Sequence, residues 1–336
     1  MKLKRIVLIA SLFFLFPCIS INAQIDLSSV VDVRGSGTVF QLSPRVPGPN
    51  QDVRIVLENS DLNLDSALIT WTVSGQVVKS GMGVKNIIVQ TGNLGTQTTV
   101  KVSTVSGNAA LSDTIILRPS EVDMLWQGRG YVPPFYKGRN LLGKEGYVTI
   151  MAIPHVYNSS GGEVSPANLI YRWSKNGEIL GGASGASKNY LTFADSILAT
   201  PQYVTVDIFE GNTISASNSI RIQAITPNVS VYENNPLYGF LFNNEVGNEF
   251  ILNKEEITLA AFPYFFNPLQ RISPFLKYEW SSNASRSTSK TSQVTYRADQ
   301  KSQGFSTIRV SVKSTDFVLQ SALKDLLVYF KNENVI

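Results

Sequence analysis

The stretch Tyr171-Arg-Trp-Ser-Lys-Asn-Gly-Glu-Ile179 decides the fold, because its pattern occurs three times in the chain. Each copy has a tryptophan in an alternating polar and apolar run, followed by a turn signal such as Asn176-Gly177. Asn-Gly favours a two-residue hairpin, since both central residues of that turn need a positive φ. The tryptophans Trp71, Trp173 and Trp280 are 102 and 107 residues apart. This spacing predicts three copies of one β domain.

Short alternating runs flank each tryptophan at matching distances. In the second copy they are residues 147–151 before the tryptophan and residues 189–193, 203–208 and 219–222 after it. A period of two turns one face of a strand to a core and the other to water. About seven such strands, with a tryptophan on the third, are typical of an immunoglobulin-like sandwich. We therefore predict an all-β chain of three tandem sandwiches, with core residues Trp71, Trp173, Trp280, Tyr171 and Tyr278.

Prolines mark the domain joints, at Pro119 and at Thr226-Pro227. They predict sandwiches over residues 37–118, 119–225 and 226–336, after a flexible lead-in over 24–36. Linkers this short restrict bending, so we expect a stiff row of domains.

Residues 1–23 are typical of a signal peptide. Three basic residues precede the apolar run Ile6–Phe16, and Ala23 makes a cleavage site before Gln24 plausible. Two alternatives stay open: a retained membrane anchor, for which residues 6–23 are at the short limit, and lipid attachment at Cys18. The leader predicts export, to the cell surface, the extracellular space or the periplasm.

Composition argues against several function classes. The chain has 29 basic and 25 acidic residues, and three of the basic ones lie in the leader, so the remainder is nearly neutral and unsuited to nucleic acid. With one histidine and one cysteine, Cys18, the chain cannot build a Cys–His pair after cleavage or a His-rich zinc site. His155 also takes the place of Tyr264 in the repeat. We predict no enzyme and no cofactor.

The segment around Trp173 resembles the C and C′ strands of bacterial Ig-like and PKD-like domains. The Asp-Phe-Gly-Asp-Gly sequence that usually follows the tryptophan in PKD-like domains is absent. The whole chain resembles a group of uncharacterised exported proteins of candidate-phyla bacteria, through Leu42-Ser-Pro, Pro47-Gly-Pro-Asn50 and Pro133-Pro-Phe-Tyr-Lys137. The resemblance implies export and a sandwich fold, and no activity.

An aromatic and proline-rich segment runs from Trp126 to Tyr136. In one interpretation it is a patch that binds a partner or stacks on a carbohydrate. In the other, structural interpretation its side chains are part of the packed fold. In the structural interpretation the prolines kink the first strand between the two sheets, and the rings pack in the core or against the preceding domain. We expect Trp126 to be a domain-joint or contact residue. The candidate patch comprises Trp126, Tyr131, Phe135 and Tyr136.

Asp61, Asn63 and Asp65 carry oxygen side chains at alternate positions, as at the start of a calcium loop. An EF-hand loop needs a glycine and a final glutamate where this chain has Ser66 and Thr72. Calcium is therefore a weak candidate, and a polar loop with Asx turns is the alternative.

Together these features predict a non-enzymatic surface or periplasmic protein that acts as a spacer or adhesive interaction module. The alternatives are an accessory subunit of an envelope assembly, such as a pilus or secretion apparatus, or a glycan-binding module. The expected partner is a protein or glycan of the cell envelope. No transmembrane segment is expected beyond the leader.

Overall fold

The computed structural model describes residues 30–33, 37–197, 201–283, 289–297 and 304–330. The predicted signal peptide lies outside the described residues. The described part of the chain forms six sheets, two for each sandwich, and its helical content is limited to 3-10 turns at Leu64–Ser66, Pro166–Asn168 and Gly181–Ala183. No helix in this part is long and apolar enough to cross a membrane.

The first sandwich contains eight strands, which are β1 (Val30–Val33), β2 (Thr38–Ser43), β3 (Asp52–Asn59), β4 (Leu68–Val73), β5 (Gln76–Met82), β6 (Asn86–Gln90), β7 (Thr98–Ser106) and β8 (Ala109–Leu117). One sheet has the order β1-β2-β3-β6 and the other β5-β4-β7-β8. The flexible lead-in expected over 24–36 differs from the structure at residues 30–33. These residues pair with β2, where Val30 lies opposite Gln41, because a backbone ladder was available at the sheet edge.

The second sandwich repeats this plan with β9 (Glu121–Gly128), β10 (Tyr147–His155), β11 (Ile170–Lys175), β12 (Glu178–Ile179), β13 (Gly185–Ala186), β14 (Tyr190–Ala194), β15 (Gln202–Glu210) and β16 (Thr213–Ile222). Its sheets have the orders β14-β10-β9 and β12-β11-β15-β16, and β13 also pairs with β11.

The third sandwich contains β17 (Asn228–Asn235), β18 (Gly239–Glu245), β19 (Glu249–Leu252), β20 (Glu256–Tyr264), β21 (Leu276–Ser282), β22 (Gln293–Arg297), β23 (Gly304–Ser314) and β24 (Ser321–Phe330). Its sheets have the orders β18-β17-β20-β22 and β19-β24-β23-β21. The pair β19–β24 is parallel, whereas the other ladders described are antiparallel. The predicted fold class, three tandem Ig-like sandwiches, is confirmed.

Each sandwich has its own core, centred on a fully buried tryptophan. Each indole makes the same kind of hydrogen bond. Its Nε1–H donates to a backbone carbonyl in the loop to the opposite sheet, at the position two residues before the next strand of that sheet begins. The acceptors are Val84 O at 2.8 Å from Trp71, Lys188 O at 2.8 Å from Trp173 and Thr291 O at 2.9 Å from Trp280. Burial of the ring therefore leaves no indole donor unsatisfied.

The hairpin turns after the tryptophans also match the expectation. Both Ser74-Gly75 and Asn176-Gly177 have positive φ at both residues, as a type I′ turn requires. The expected core tyrosines Tyr171 and Tyr278 are buried, and their hydroxyls donate to Pro166 O at 3.0 Å and Arg271 O at 2.6 Å.

Candidate interaction surface

Trp126 lies on β9, and the rest of the aromatic segment lies in the connection between β9 and β10, residues 129–146, which crosses to the third sandwich. The Tyr131 N–H donates to Phe266 O at 2.6 Å, and the Phe265 N–H donates to Tyr131 O at 2.7 Å. Farther along, the ring of Tyr136 meets Tyr264 and Phe265 edge-on, with ring centres 5.9 and 6.0 Å apart. The connection is therefore fastened to the third sandwich by its backbone and by its rings.

The four residues of the predicted patch do not form one exposed surface. Tyr131 is buried, Tyr136 packs on the third sandwich, and the half-buried Trp126 packs against the second core under Arg139, whose guanidinium carbon is 4.0 Å from the ring centre. Phe135 alone of the four is strongly exposed, at 92%. A sugar-stacking platform of Trp126, Tyr131 and Tyr136 is therefore not present.

Two details of the structural interpretation are wrong. β9 does not kink between sheets, because it ends at Gly128 and the prolines Pro133 and Pro134 lie in the loop beyond it. The loop also packs on the following domain and not on the preceding one, because it leaves the second sandwich at the end that meets the third.

The calcium candidates each have a local partner. The Asn63 side chain accepts the Asp65 N–H at 3.1 Å, Asp65 pairs with Lys85 at 2.7 Å, and Asp61 accepts the Ser60 hydroxyl at 2.9 Å. Their arrangement is that of a polar loop with an Asx turn. Among the described residues no three His, Cys, Asp or Glu side chains are grouped to hold a metal ion.

A second aromatic cluster covers the outer face of the third sandwich, the face of β17 and β20 that points away from the core. Tyr232, Ala260 and Phe262 on this face are at most 7% exposed. They are covered by Tyr131 from the second domain and by two phenylalanines on β18, Phe240 and Phe242. Four ring pairs meet edge-on, with centres 5.1–5.4 Å apart: Tyr232–Phe242, Tyr232–Phe262, Phe240–Phe262 and Phe242–Phe262.

Arg271 completes this cover. Its guanidinium carbon is 5.0 Å from the ring centre of Phe240 and 4.9 Å from that of Phe262, and Nη1 donates to the Ser292 hydroxyl at 2.8 Å. A guanidinium over aromatic faces is favourable because of the ring quadrupole. Burial lowers the pKa of Arg271, and burial raises the pKa of Tyr131 beside it.

The corresponding face of the second sandwich is uncovered. Leu125, Met151 and Tyr190 form one row across β9, β10 and β14, with Leu125 and Tyr190 each opposite Met151. They are 59%, 45% and 60% exposed, and Ile153 follows beside them on β10. We call Leu125, Met151, Ile153 and Tyr190 the Met151 face.

The register shows that the two faces are equivalent. The pair Leu125–Met151 occupies the place of Tyr232–Ala260, and Ile153-Pro-His155 occupies that of Phe262-Pro-Tyr264. The same position in the sandwich is therefore apolar in both domains, but it is buried in one and open to solvent in the other.

The lengths of the connections explain the difference. The first sandwich joins β2 to β3 through residues 44–51 only, whereas residues 129–146 of the second sandwich are long enough to cover the third. The first sandwich meets the second at its end, where Gln97 Nε2 donates to Ser159 O at 2.6 Å. It therefore leaves the Met151 face free.

The rim of the Met151 face is mainly acidic. Glu121, Asp123 and Glu163 are exposed, and His155 lies between two of them, 3.2 Å from Glu163 and 3.9 Å from Asp123. Lys188 lies two residues before β14, and its Nζ donates to Gly182 O at 2.8 Å. Opposite charge on a partner is therefore favoured along this rim.

The joint between the second and third sandwiches has a polar centre at Glu145. Its N–H donates to Asp195 Oδ2 at 3.2 Å, its carbonyl accepts from Asn267 Nδ2 at 3.0 Å, and its carboxylate accepts the Leu319 N–H at 2.6 Å. Burial raises the pKa of the Asp195 carboxyl, against the opposing effect of its backbone hydrogen bonds.

No model of a known protein family matches this chain, and no curated protein matches it in sequence. Solved structures that share its tandem sandwiches include the three N-terminal domains of the highly immunogenic outer capsid protein (Hoc) of bacteriophage RB49. That structure is 10% identical, covers 87% of this chain and 97% of its own, and has a TM-score of 0.26.

Two others are the central fibronectin-III array of RIM-binding protein and SGBP-B of the Bacteroides ovatus mixed-linkage glucan utilization locus, solved with a mixed-linkage heptasaccharide. The first is 12% identical with a TM-score of 0.30, covering 87% of this chain and 96% of its own. The second is 12% identical with a TM-score of 0.22, covering 84% and 64%. At these scores no argument about function follows from the likeness.

Proposed function

We propose that the chain is an exported, non-enzymatic protein of the cell surface or periplasm, in which tandem sandwiches act as a spacer that presents an interaction face. The observation that carries this proposal is the Met151 face, an apolar row that is open to solvent in the second sandwich. The equivalent row of the third sandwich is covered. Contiguous exposed apolar surface marks interaction sites in proteins of ordinary solubility. The predicted leader and the near-neutral charge support export and argue against nucleic acid.

The joints support the spacer role. Backbone and side-chain hydrogen bonds from Tyr131, Glu145 and Lys144 to the third sandwich hold two domains together. A domain pair fixed in this way keeps the Met151 face in a constant position relative to the third sandwich, which a flexible linker would not.

The proposal is tested by binding of the purified protein to envelope fractions of the source cells. Met151→Asp places a charge in the centre of the apolar row, and we expect it to weaken binding about tenfold or more. Ile88→Asp is the matched control, because Ile88 is 69% exposed on the outer face of the first sandwich.

Equal binding by the wild type and Met151→Asp would contradict the assignment of the face. Turnover of an envelope glycan or peptide by the pure protein would contradict the non-enzymatic role.

A further inference from the structure

The third sandwich shows what its outer face accepts. The covering segment Tyr131-Val-Pro-Pro-Phe-Tyr136 delivers two tyrosine rings, and Arg271 lies over the phenylalanines below. Prolines suit such a segment because they lack an N–H and need no ladder partner while they cross a sheet face. The part of the cover that comes from the second domain is therefore an aromatic, proline-containing segment, and Arg271 of the third sandwich itself packs over the same rings.

The Met151 face offers a comparable surface. Its methionine thioether packs favourably against aromatic ring edges, and the ring of Tyr190 can take an edge-to-face partner. Leu125 and Ile153 add aliphatic area on either side of the row. Leu125, Met151 and Ile153 correspond in position to Tyr232, Ala260 and Phe262, which Tyr131 and its neighbours cover in the third sandwich.

Charge around the face narrows the choice of occupant. The carboxylates of Glu121, Asp123 and Glu163 lie along one side, whereas the positively charged Lys188 lies on the opposite side, before β14. Basic side chains on the occupant would pair with these carboxylates.

The chain's own segment does not serve a second copy. Tyr131 is buried and its backbone is bonded on both sides to Phe265 and Phe266 of the same molecule. Release of the segment would break these bonds, so the same segment of a second copy is not available as the occupant.

We propose that the Met151 face binds a segment of a partner protein in which tyrosine or phenylalanine stands beside proline and close to arginine or lysine. The inference rests on the proposed function and specifies the partner's chemistry. The segment lies across the sheet face, with its rings on Met151 and Tyr190 and its basic residue towards Asp123 and Glu163.

The experiment uses a fluorescent synthetic peptide with the sequence of residues 129–139, Arg-Gly-Tyr-Val-Pro-Pro-Phe-Tyr-Lys-Gly-Arg. It is titrated into the full chain and followed by anisotropy. We expect saturable binding that Met151→Asp and Tyr190→Ala each weaken about tenfold, while Ile88→Asp leaves it unchanged. A peptide with serine at the three aromatic positions should bind about tenfold more weakly than the parent peptide.

Circular dichroism melting checks that both face variants fold, which we expect because the two side chains are half exposed. Absence of peptide binding, or binding indifferent to Met151→Asp, would overturn the partner chemistry. If envelope binding still depends on Met151, the proposed function stands; if neither binding depends on it, both fall.

Sedimentation velocity and glycan binding identify other occupants. Self-association abolished by Met151→Asp would assign the face to a second copy of the chain. Glycan binding abolished by Tyr190→Ala, without peptide binding, would assign it to a sugar. Either result would overturn the inference.

Discussion

Each core tryptophan is fixed by its ring and by its indole N–H. For Trp173 we expect substitution by alanine to lower the free energy of unfolding by about 3–5 kcal/mol, because it empties a fully buried position and strands the Lys188 carbonyl. Urea denaturation measures the loss. Trp126→Ala is the control and should cost clearly less, since Trp126 is half-buried. Equal losses would contradict the central position of Trp173.

Asp195 gives the fold a pH dependence of known sign. Burial raises its pKa, so its ionised form is less favourable in the folded chain than in the unfolded chain. The cost is absent below the ordinary aspartate pKa and grows as the pH rises through the raised value. We expect Asp195→Asn, whose amide oxygen can still accept the Glu145 N–H, to gain stability relative to the wild type between about pH 3 and about pH 7.

Denaturant curves at several pH values give this difference. A difference that shrinks with rising pH would show that the hydrogen bonds to the Asp195 carboxylate outweigh its burial.

At the scale of elements, the long connection between β9 and β10 depends on glycine. A Cβ on Gly143 would lie 2.1 Å from Phe265 O, so Gly143→Ala must push the connection away from the third sandwich. We expect amide hydrogen exchange at Tyr131 and Phe265 to accelerate about tenfold or more, while amides in the three cores stay protected. Gly181→Ala is the control, since its Cβ would meet nothing within 4 Å. Unchanged exchange at Tyr131 would contradict this role.

The strand pattern was predictable because alternation and turn chemistry are local. The tryptophan spacing located all three cores, and Asn176-Gly177 located a hairpin, without knowledge of which strands pair. The fate of residues 129–146 was not predictable in this way. Their aromatic rings and prolines suit either a core or a surface, and the deciding contacts with Phe265 and Phe266 join residues more than a hundred positions apart.

The Met151 face was missed for a related reason. Leu125, Met151 and Tyr190 are far apart in the sequence, and each stands beside another apolar residue, so none of them shows by itself that it faces outward. The register across three strands puts them in one row. The signal that could have found them is the comparison of Met151 with Ala260 at the equivalent repeat position.

At the scale of the whole molecule, the two joints differ. The second and third sandwiches share hydrogen bonds through Tyr131, Glu145 and Lys144. Between the first and second, Gln97 donates to Ser159 O and the Ser120 N–H donates to Pro47 O. We expect Trp280→Ala to lower the melting temperature of the second sandwich as well as the third. Trp71→Ala should affect the first sandwich alone. Calorimetry distinguishes the unfolding transitions of the sandwiches. If Trp71→Ala lowered the melting temperature of the second sandwich as much as Trp280→Ala does, the expected difference between the two joints would be contradicted.

The parallel pairing of β19 with β24 gives the third sandwich a particular response to tension. Under force along the chain, β17 and β18 come before β19. Once they have detached, the tension pulls the pair Glu249–Leu252 and Leu327–Phe330 lengthwise, so that its slanted bonds carry the load together. An antiparallel hairpin pulled at its open end instead yields one bond at a time. We expect the third sandwich to give the highest rupture force in single-molecule pulling, and a peak no higher than that of the first sandwich would refute this.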